Sequence, residues 1–247
     1  MVCGPKEKYL KKSLNEFSRL CDTAIIATNN ADKDTKNLIE SFGFSHYEDN
    51  REWGIYQPSI KTRLLERAGE LQPDWIVALD ADEAFAPEFT REEAEKLAKQ
   101  EEIAWYFLIV NLYNDEDHFV HGTGIQRFWN IRFYKYLPQY GLQFQRKALH
   151  CGLAPPMAYR YGWHAPYYLL HYGLMAKEDR DRKADRYQKY DPNKKFKHGT
   201  YYDELRAELK PRKFDPEGLL AKLKEAPDTQ DRDIPQTLKN EKIPRTT

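Results

Sequence analysis

Apolar positions recur at intervals of four, three and four residues through Leu10, Leu14, Phe17 and Cys21, which predicts a helix with one buried stripe. An apolar run from Thr23 to Thr28 follows and predicts a strand. Asp34 is placed to cap a second helix that carries Leu38, Ile39 and Phe42 and stops at Gly43, after which Phe44 to Tyr47 reads as a short strand. Pro58 suits the first turn of a third helix, whose buried stripe is Ile60, Leu64, Ala68 and Leu71 ahead of a Gln72-Pro73-Asp74 turn. Helices and strands alternating at this spacing predict right-handed crossovers and an α/β sheet.

The turn feeds the most informative segment of the chain. Residues 75–83 read Trp-Ile-Val-Ala-Leu-Asp-Ala-Asp-Glu, an apolar run that ends abruptly in three carboxylates. A run without alternation fits a strand covered on both faces, as in a parallel sheet, and ligands of such sheets bind beyond the strands' carboxyl ends. Asp80 and Asp82 would point apart if the strand continued. A bend at Ala81 would turn both towards one hard cation, for which carboxylate oxygens are suitable ligands. A strand that merely ends in acidic loop residues is the plainer account of a lone Asp-X-Asp.

Beyond the site, Thr90-Arg-Glu-Glu93 is a capping box opening a helix through about Gln100. Ile103 to Tyr113 reads as a long strand, Ile125 to Tyr136 as another, and Tyr167 to Tyr172 as a later one, a half that is mixed or antiparallel. From Ala176 to Tyr190 the charges alternate in sign, as in a solvated helix laced with ion pairs. Residues 193–247 are polar and rich in Lys and Pro, and read as a tail with helices over Tyr201 to Leu209 and Pro216 to Lys224 that ends in disorder. The domain proper is expected over residues 1–192, and the tail is expected to be dispensable for it.

Composition narrows the chemistry. At 247 residues the chain can bury a sizeable core. Lys plus Arg and Asp plus Glu both number 39, so nothing points to a globally basic nucleic-acid binder. Cys3, Cys21 and Cys151 are odd in number and widely spaced, which suits reduced thiols in a cytoplasmic protein rather than a disulfide framework. The most apolar stretch, Ile103 to Val110, falls far short of the ~20 residues that cross a bilayer. The aromatic content of 14% suits sugar or base stacking as well as ordinary packing.

Glu7-Lys-Tyr-Leu10, Ala24-Ile-Ile-Ala-Thr-Asn-Asn30, Asp34-Thr35 and the Asp74 to Glu83 segment, in this order and spacing, resemble the family 2 glycosyltransferases, inverting enzymes of GT-A fold. Leu149-His150-Cys151, His171-Tyr-Gly173, Glu178-Asp-Arg180 and Tyr190-Asp-Pro192 look like carboxyl-terminal motifs of one bacterial branch of that family. The resemblance covers roughly Lys6 to Pro192. It implies a Rossmann-like mixed sheet flanked by helices, a nucleotide-sugar donor, and a glycan, lipid-linked or protein acceptor. Location would be cytoplasmic, with the inner membrane surface as a place to work.

By the same resemblance Asp82 ligates Mg²⁺ or Mn²⁺, and Asp80 touches the donor ribose or the metal through water. Glu83 supports them. His150 and His171 are candidates to complete the metal shell. Asn29 and Asn30 stand where the family often has an aspartate near the base and ribose, and Arg63 is a candidate for the pyrophosphate. An inverting transfer needs a group that takes the acceptor's proton, and Asp117 is the first choice, with Asp115 and His121 next; Glu116 shares their loop. At His121 related sequences tend to carry an acid. The family also opens with a full apolar strand, where this chain has Met1-Val2-Cys3 before Gly4-Pro5.

Three other readings compete. A phosphatase of the haloacid dehalogenase type expects Thr or Val where Ala84 stands, and a nucleotidyltransferase wants a glycine-rich phosphate loop that Gly4-Pro5-Lys6 does not supply. A non-catalytic relative that binds nucleotide or glycan is the alternative from a different class, and turnover separates it from an enzyme.

Overall fold

The amino-terminal third builds the alternating pattern the sequence predicts. In the computed structural model, which describes residues 1–120, 125, 127–144, 149, 151–195 and 201–225, β1 is Val2–Cys3, α1 Leu10–Leu20, β2 Ile25–Thr28, α2 Lys33–Ser41, β3 Ser45–Glu48 and α3 Trp53–Gly69. The three strands pair in parallel in the order β1-β2-β3. Helix α1 buries Leu10, Leu14 and Phe17 of the predicted stripe, with Leu20 in place of Cys21, which caps the helix and is half-buried. Helix α2 is capped by Asp32, whose carboxylate accepts the Thr35 N–H at 2.8 Å, rather than by Asp34, which lies in the first turn where its charge favours the helix dipole. Helix α3 starts at Trp53, five residues before Pro58, which sits inside it. The missing proline N–H costs the helix a single bond, and burial of Ile60 and Leu65 outweighs it.

The next strands belong to a second sheet. Strand β4, Trp75–Val77, is half-buried and pairs antiparallel with β8, Phe128–Lys135. The expectation of a doubly covered strand in a parallel sheet is therefore corrected: the apolar run is short, edge-placed and antiparallel to its neighbour. Strand β5, Glu83–Phe85, follows the acidic bend, and α4, Arg91–Ala98, opens with the Thr90 hydroxyl accepting the Glu93 N–H as the capping box predicts. Strand β6, Ala104–Tyr113, is buried along its whole length because it has neighbours on both edges and helices on its face. It pairs antiparallel with β8, and parallel with β9, Trp163–His171. Strand β9 begins four residues before the predicted Tyr167, and α5, Pro156–Tyr161, precedes it.

Strand β7, Asp115–Phe119, forms a hairpin with β6, and after α6, Lys177–Tyr190, the chain returns to it. Helix α7, Tyr201–Glu204, lies beside α6, with Tyr202 and Leu205 buried among Ala184 and Tyr187. Strand β10, Arg212–Lys213, pairs with β7, and α8, Pro216–Glu225, lays Leu219, Leu220 and Leu223 over Leu108, Val110 and Tyr168. The architecture is a mixed α/β sheet flanked by helices. No helix among the described residues is long and apolar enough to cross a membrane.

Candidate functional site

The apolar run of β4 ends at a tight bend. Glu83 N–H donates to the Asp80 carbonyl at 3.3 Å, and Asp80 N–H donates back to the Glu83 carboxylate at 3.0 Å. Ser13, fully buried on α1, donates its hydroxyl to the Asp80 and Glu83 carbonyls at 3.1 and 2.8 Å. Glu83 is no loop acid. Its carboxylate is buried and takes two guanidinium bonds from Arg132, at 2.7 and 2.5 Å. A bidentate pair with these bonds satisfied is the form in which buried charges are tolerated.

The bend at Ala81 exists, and it separates the two aspartates. Asp80 is close enough to Arg132 and Cys151 for its charge to bear on both. Asp82 turns the other way, towards Glu7 and Tyr201. Its Oδ2 lies 3.3 Å from His171 Nε2. Strand pairing sets that distance, because Glu83 is in register with His171 and Tyr172 N–H donates to the Asp82 carbonyl at 2.8 Å.

Behind the histidine stands Asn111, at the end of β6. His171 Nδ1–H donates to Asn111 Oδ1 at 2.6 Å, and Asn111 Nδ2 donates to the Ile125 carbonyl at 3.3 Å. With Nδ1 so committed, Nε2 meets Asp82 in one of two ways: as the N–H of an imidazolium, or as a lone pair beside a cation that both groups share. The Lys183 ammonium is 3.5 Å from the same Nε2. Burial works against the Asp82 carboxylate, but the charge of His171 and its hydrogen bond, with Lys183 behind, hold it well below the usual range. Gly173 leaves the room. A Cβ there would come within 1.9 Å of Asp82 Oδ2 and 3.0 Å of His171 Nε2.

The arrangement suits a divalent ion in part. Donor atoms 3.3 Å apart match neighbouring ligands at bond lengths of about 2.0–2.2 Å. An outer partner fixing the histidine tautomer is what ligating imidazoles have. Among the described residues, however, no group of three or more His, Cys, Asp or Glu side chains converges. Asp82 and His171 would be the protein's own ligands. Mg²⁺ is commonly held by one or two carboxylates with water and substrate phosphates completing the shell.

The other expected residues have partners of their own. Asn29 donates its amide to the Arg51 carbonyl at 2.8 Å and to the Asp49 carbonyl, bracing the ends of β2 and β3, and the Asn30 N–H is held by Asn50 at 2.8 Å. Arg63 Nη1 is 3.6 Å from Asp49 and lies over the Tyr47 ring. Asp49 is the residue the sequence did not advertise. It is buried at the carboxyl end of the parallel sheet, and hydrogen bonds from Arg51 at 2.7 and 2.5 Å lower its pKa despite burial. Lys61, equally hidden, gives its ammonium to the Cys151 and Gly152 carbonyls at 3.0 and 3.1 Å.

Asp115, Glu116 and Asp117 are exposed on β7. Asp115 accepts from the Asp117 N–H and from His118, and the latter bond lowers its pKa; Glu116 pairs with Lys12 at 2.9 Å. The Asp117 carbonyl accepts from Phe214 N–H at 2.6 Å, so this acidic stretch is the partner of β10 rather than an open loop. Glu7 was also missed. Burial first, and Asp82 next, raise its pKa. His121 and His150 lie outside the described residues.

No family model and no curated protein matches the chain. Among solved structures, S. aureus TarS aligns at 11% identity and a TM-score of 0.46, over 83% of this chain and 41% of that one. TarS residues 1–349 in complex with UDP align at 12% identity and a TM-score of 0.47, over 83% of this chain and 69% of that one. The same fragment described without UDP gives 12% and 0.44 over 83% and 68%. The chain thus spans less than half of the length of TarS.

Proposed function

We propose that this chain moves a sugar from a nucleotide-sugar donor to an acceptor hydroxyl with inversion, assisted by Mg²⁺ or Mn²⁺, on a GT-A-like domain over residues 1–192. One observation carries the reading: Asp82 and His171 face each other across 3.3 Å against a glycine whose lack of a side chain admits them, with the imidazole's far nitrogen tied to Asn111. A divalent ion bound there supplies a Lewis acid that offsets the charge growing on the departing diphosphate. The protein's part is to keep the ligands fixed. Asn111 orients the ring, and Ser13 with the Glu83–Arg132 pair holds the bend that aims Asp82.

Asp80, Asn29, Asn30 and Arg63, with Asp49 and Arg51, form the nucleoside side of this site. Asp117 takes the acceptor's proton, with Asp115 and His121 as the next groups in line; its exposure on β7 suits a glycan, lipid-linked or protein acceptor arriving from solvent. The work would be cytoplasmic, at the inner membrane surface where lipid-linked acceptors gather.

The test is a panel of nucleotide sugars assayed for transfer and hydrolysis with Mn²⁺ or chelator, alongside thermal stabilisation, since a bound donor raises apparent stability. Asp82→Asn should keep its fold and lose at least a hundredfold in rate, about 1.4 kcal/mol of transition-state stabilisation for each tenfold. Asp117→Asn should spare donor affinity and lower turnover. Full activity in chelator would sink metal assistance. Donor binding without turnover across the panel would favour a non-catalytic nucleotide or glycan binder.

A further inference from the structure

The floor of the site is acidic and one wall is basic. Asp82 and Glu7 supply the floor, and the charges of Arg182 and Arg186 on α6 act on Glu7, as that of Lys183 does on Asp82. The three cations differ in what they already do. Arg182 is committed to Asp179, its neighbour on the helix. Lys183 is half-buried and reaches inward, its ammonium 3.5 Å from His171 Nε2. Arg186, three residues on and so on the same helix face, is exposed at the rim.

In this arrangement Lys183 is the cation beside the Asp82–His171 pair, its ammonium against Nε2 and its charge acting on Asp82 from farther off. An ammonium carries three N–H donors, and the contact with Nε2 uses one of them. A divalent ion seated on Asp82 and His171 would repel the ammonium from that spot. The helix would then hold Lys183 within a side chain's reach of the metal. A ligand that satisfies both cations has anionic oxygens on adjacent centres, one set for the metal and one for the ammonium. A diphosphate has that form.

The geometry points to Lys183, with Arg186 behind it, as the seat of the donor's diphosphate: a binding residue on α6 rather than Arg63 on α3. This deepens the transferase reading and rests on it for the identity of the ligand, but not for the anion site itself. Arg63 is engaged elsewhere, over Tyr47 and against Asp49. Lys183 adjoins the only Asp–His pair among the described residues that the bend creates.

Titration calorimetry with inorganic pyrophosphate in the presence of Mg²⁺ tests the seat on the full chain. Lys183→Met should weaken binding at least tenfold, Arg186→Met about threefold, and Arg63→Met not at all. Lys183→Arg, which restores the charge, should recover most of the loss, a rescue that a packing role would not show. Uridine and guanosine titrated in parallel should bind the Lys183 and Arg186 variants as they bind the parent chain. If Lys183→Met does not fold, Lys183→Gln, which keeps most of the length, replaces it. Pyrophosphate binding unchanged in the Lys183 variants, absent from the parent chain, or lost in Arg63→Met instead, overturns the assignment. Lysine-dependent pyrophosphate binding without any sugar transfer would leave the seat standing and remove the transferase; transfer undiminished in Lys183→Met would do the reverse.

Discussion

The two sheets of this molecule are built to different standards. The parallel sheet has strands of two, four and four residues. The second is organised around β6, ten residues long, fully buried and paired with β7, β8 and β9. Long paired strands bury apolar side chains on both faces and leave few gaps. Short ones do not, and a cavity of about 490 Å³ lies along the seam, lined by Met1 and Val2 from one sheet and by Trp75, Val77 and Leu79 from the other. The bend carrying Asp80 and Asp82 leaves the second sheet at this same seam. The longer sheet therefore places His171 and Asn111, while Asn29 and Asp49 stand at the ends of the short strands.

Removing one partner of the Glu83–Arg132 pair should have the largest effect. Arg132→Met strands a buried carboxylate that also receives the Asp80 N–H, and a loss of about 3–5 kcal/mol is expected in chemical denaturation. Arg132→Met combined with Glu83→Leu should recover much of it, because neither charge is then left unpaired. A loss no larger than that of a surface pair would mean that the second sheet is not the stable half.

Filling the seam comes next. Ala68 and Ala98 line the cavity, and Ala68→Leu or Ala98→Leu should each stabilise by about 0.5–2 kcal/mol where the added methyls fill it. Overpacking would instead cost about 1–3 kcal/mol, so the sign of the change in unfolding midpoint decides. The helix caps offer a smaller comparison. Asp32→Ala on α2 and Thr90→Ala on α4 each remove a side-chain acceptor, for about 1 kcal/mol. Native-state hydrogen exchange should show the Asp32 change confined to the parallel sheet and its helices.

Much of the fold was legible because its elements are amphipathic. The stripe of α1, the Thr90 capping box and the unbroken run of β6 each state their own burial. What escaped was decided by contacts across the chain. Asp32 and Asp34 are both able to cap, and only the paired geometry selects Asp32. Pro58 suggests a helix start until Trp53 and Gly54 are seen to pack ahead of it, Gly54 so close to Tyr190 that a Cβ would lie 2.4 Å from the ring. The site shows the same division. Asp82, His171 and Gly173 carry visible signals, an acidic strand end and a motif, whereas Asn111, Ser13 and Lys183 have none in local sequence. They become functional candidates only when β5, β6, β9 and α6 meet.

The smallest effect concerns pH, and it sets two carboxylates of the amino-terminal region against each other. Asp49 has its pKa lowered by Arg51, so its contribution to stability is present above the unfolded value of about 3.9 and is lost as pH falls through the folded value. Glu7 behaves oppositely. Burial and then Asp82 raise its pKa, so the folded state holds its proton more tightly than the unfolded chain, whose value is about 4.3. Stability from Glu7 is thus full below that value and falls as pH rises through the folded pKa. Glu7→Gln should therefore raise the unfolding midpoint at neutral pH by less than the ~1 kcal/mol of a helix cap, and the gain should vanish in acid. Asp49→Asn should lower the midpoint at neutral pH, with the deficit shrinking in acid. Thermal melts of both variants across pH 3–8 separate the two signs. A Glu7→Gln gain that persists undiminished in acid would show that the strain at Glu7 is steric rather than electrostatic, and would leave Asp82 without a charged neighbour on that side of the site.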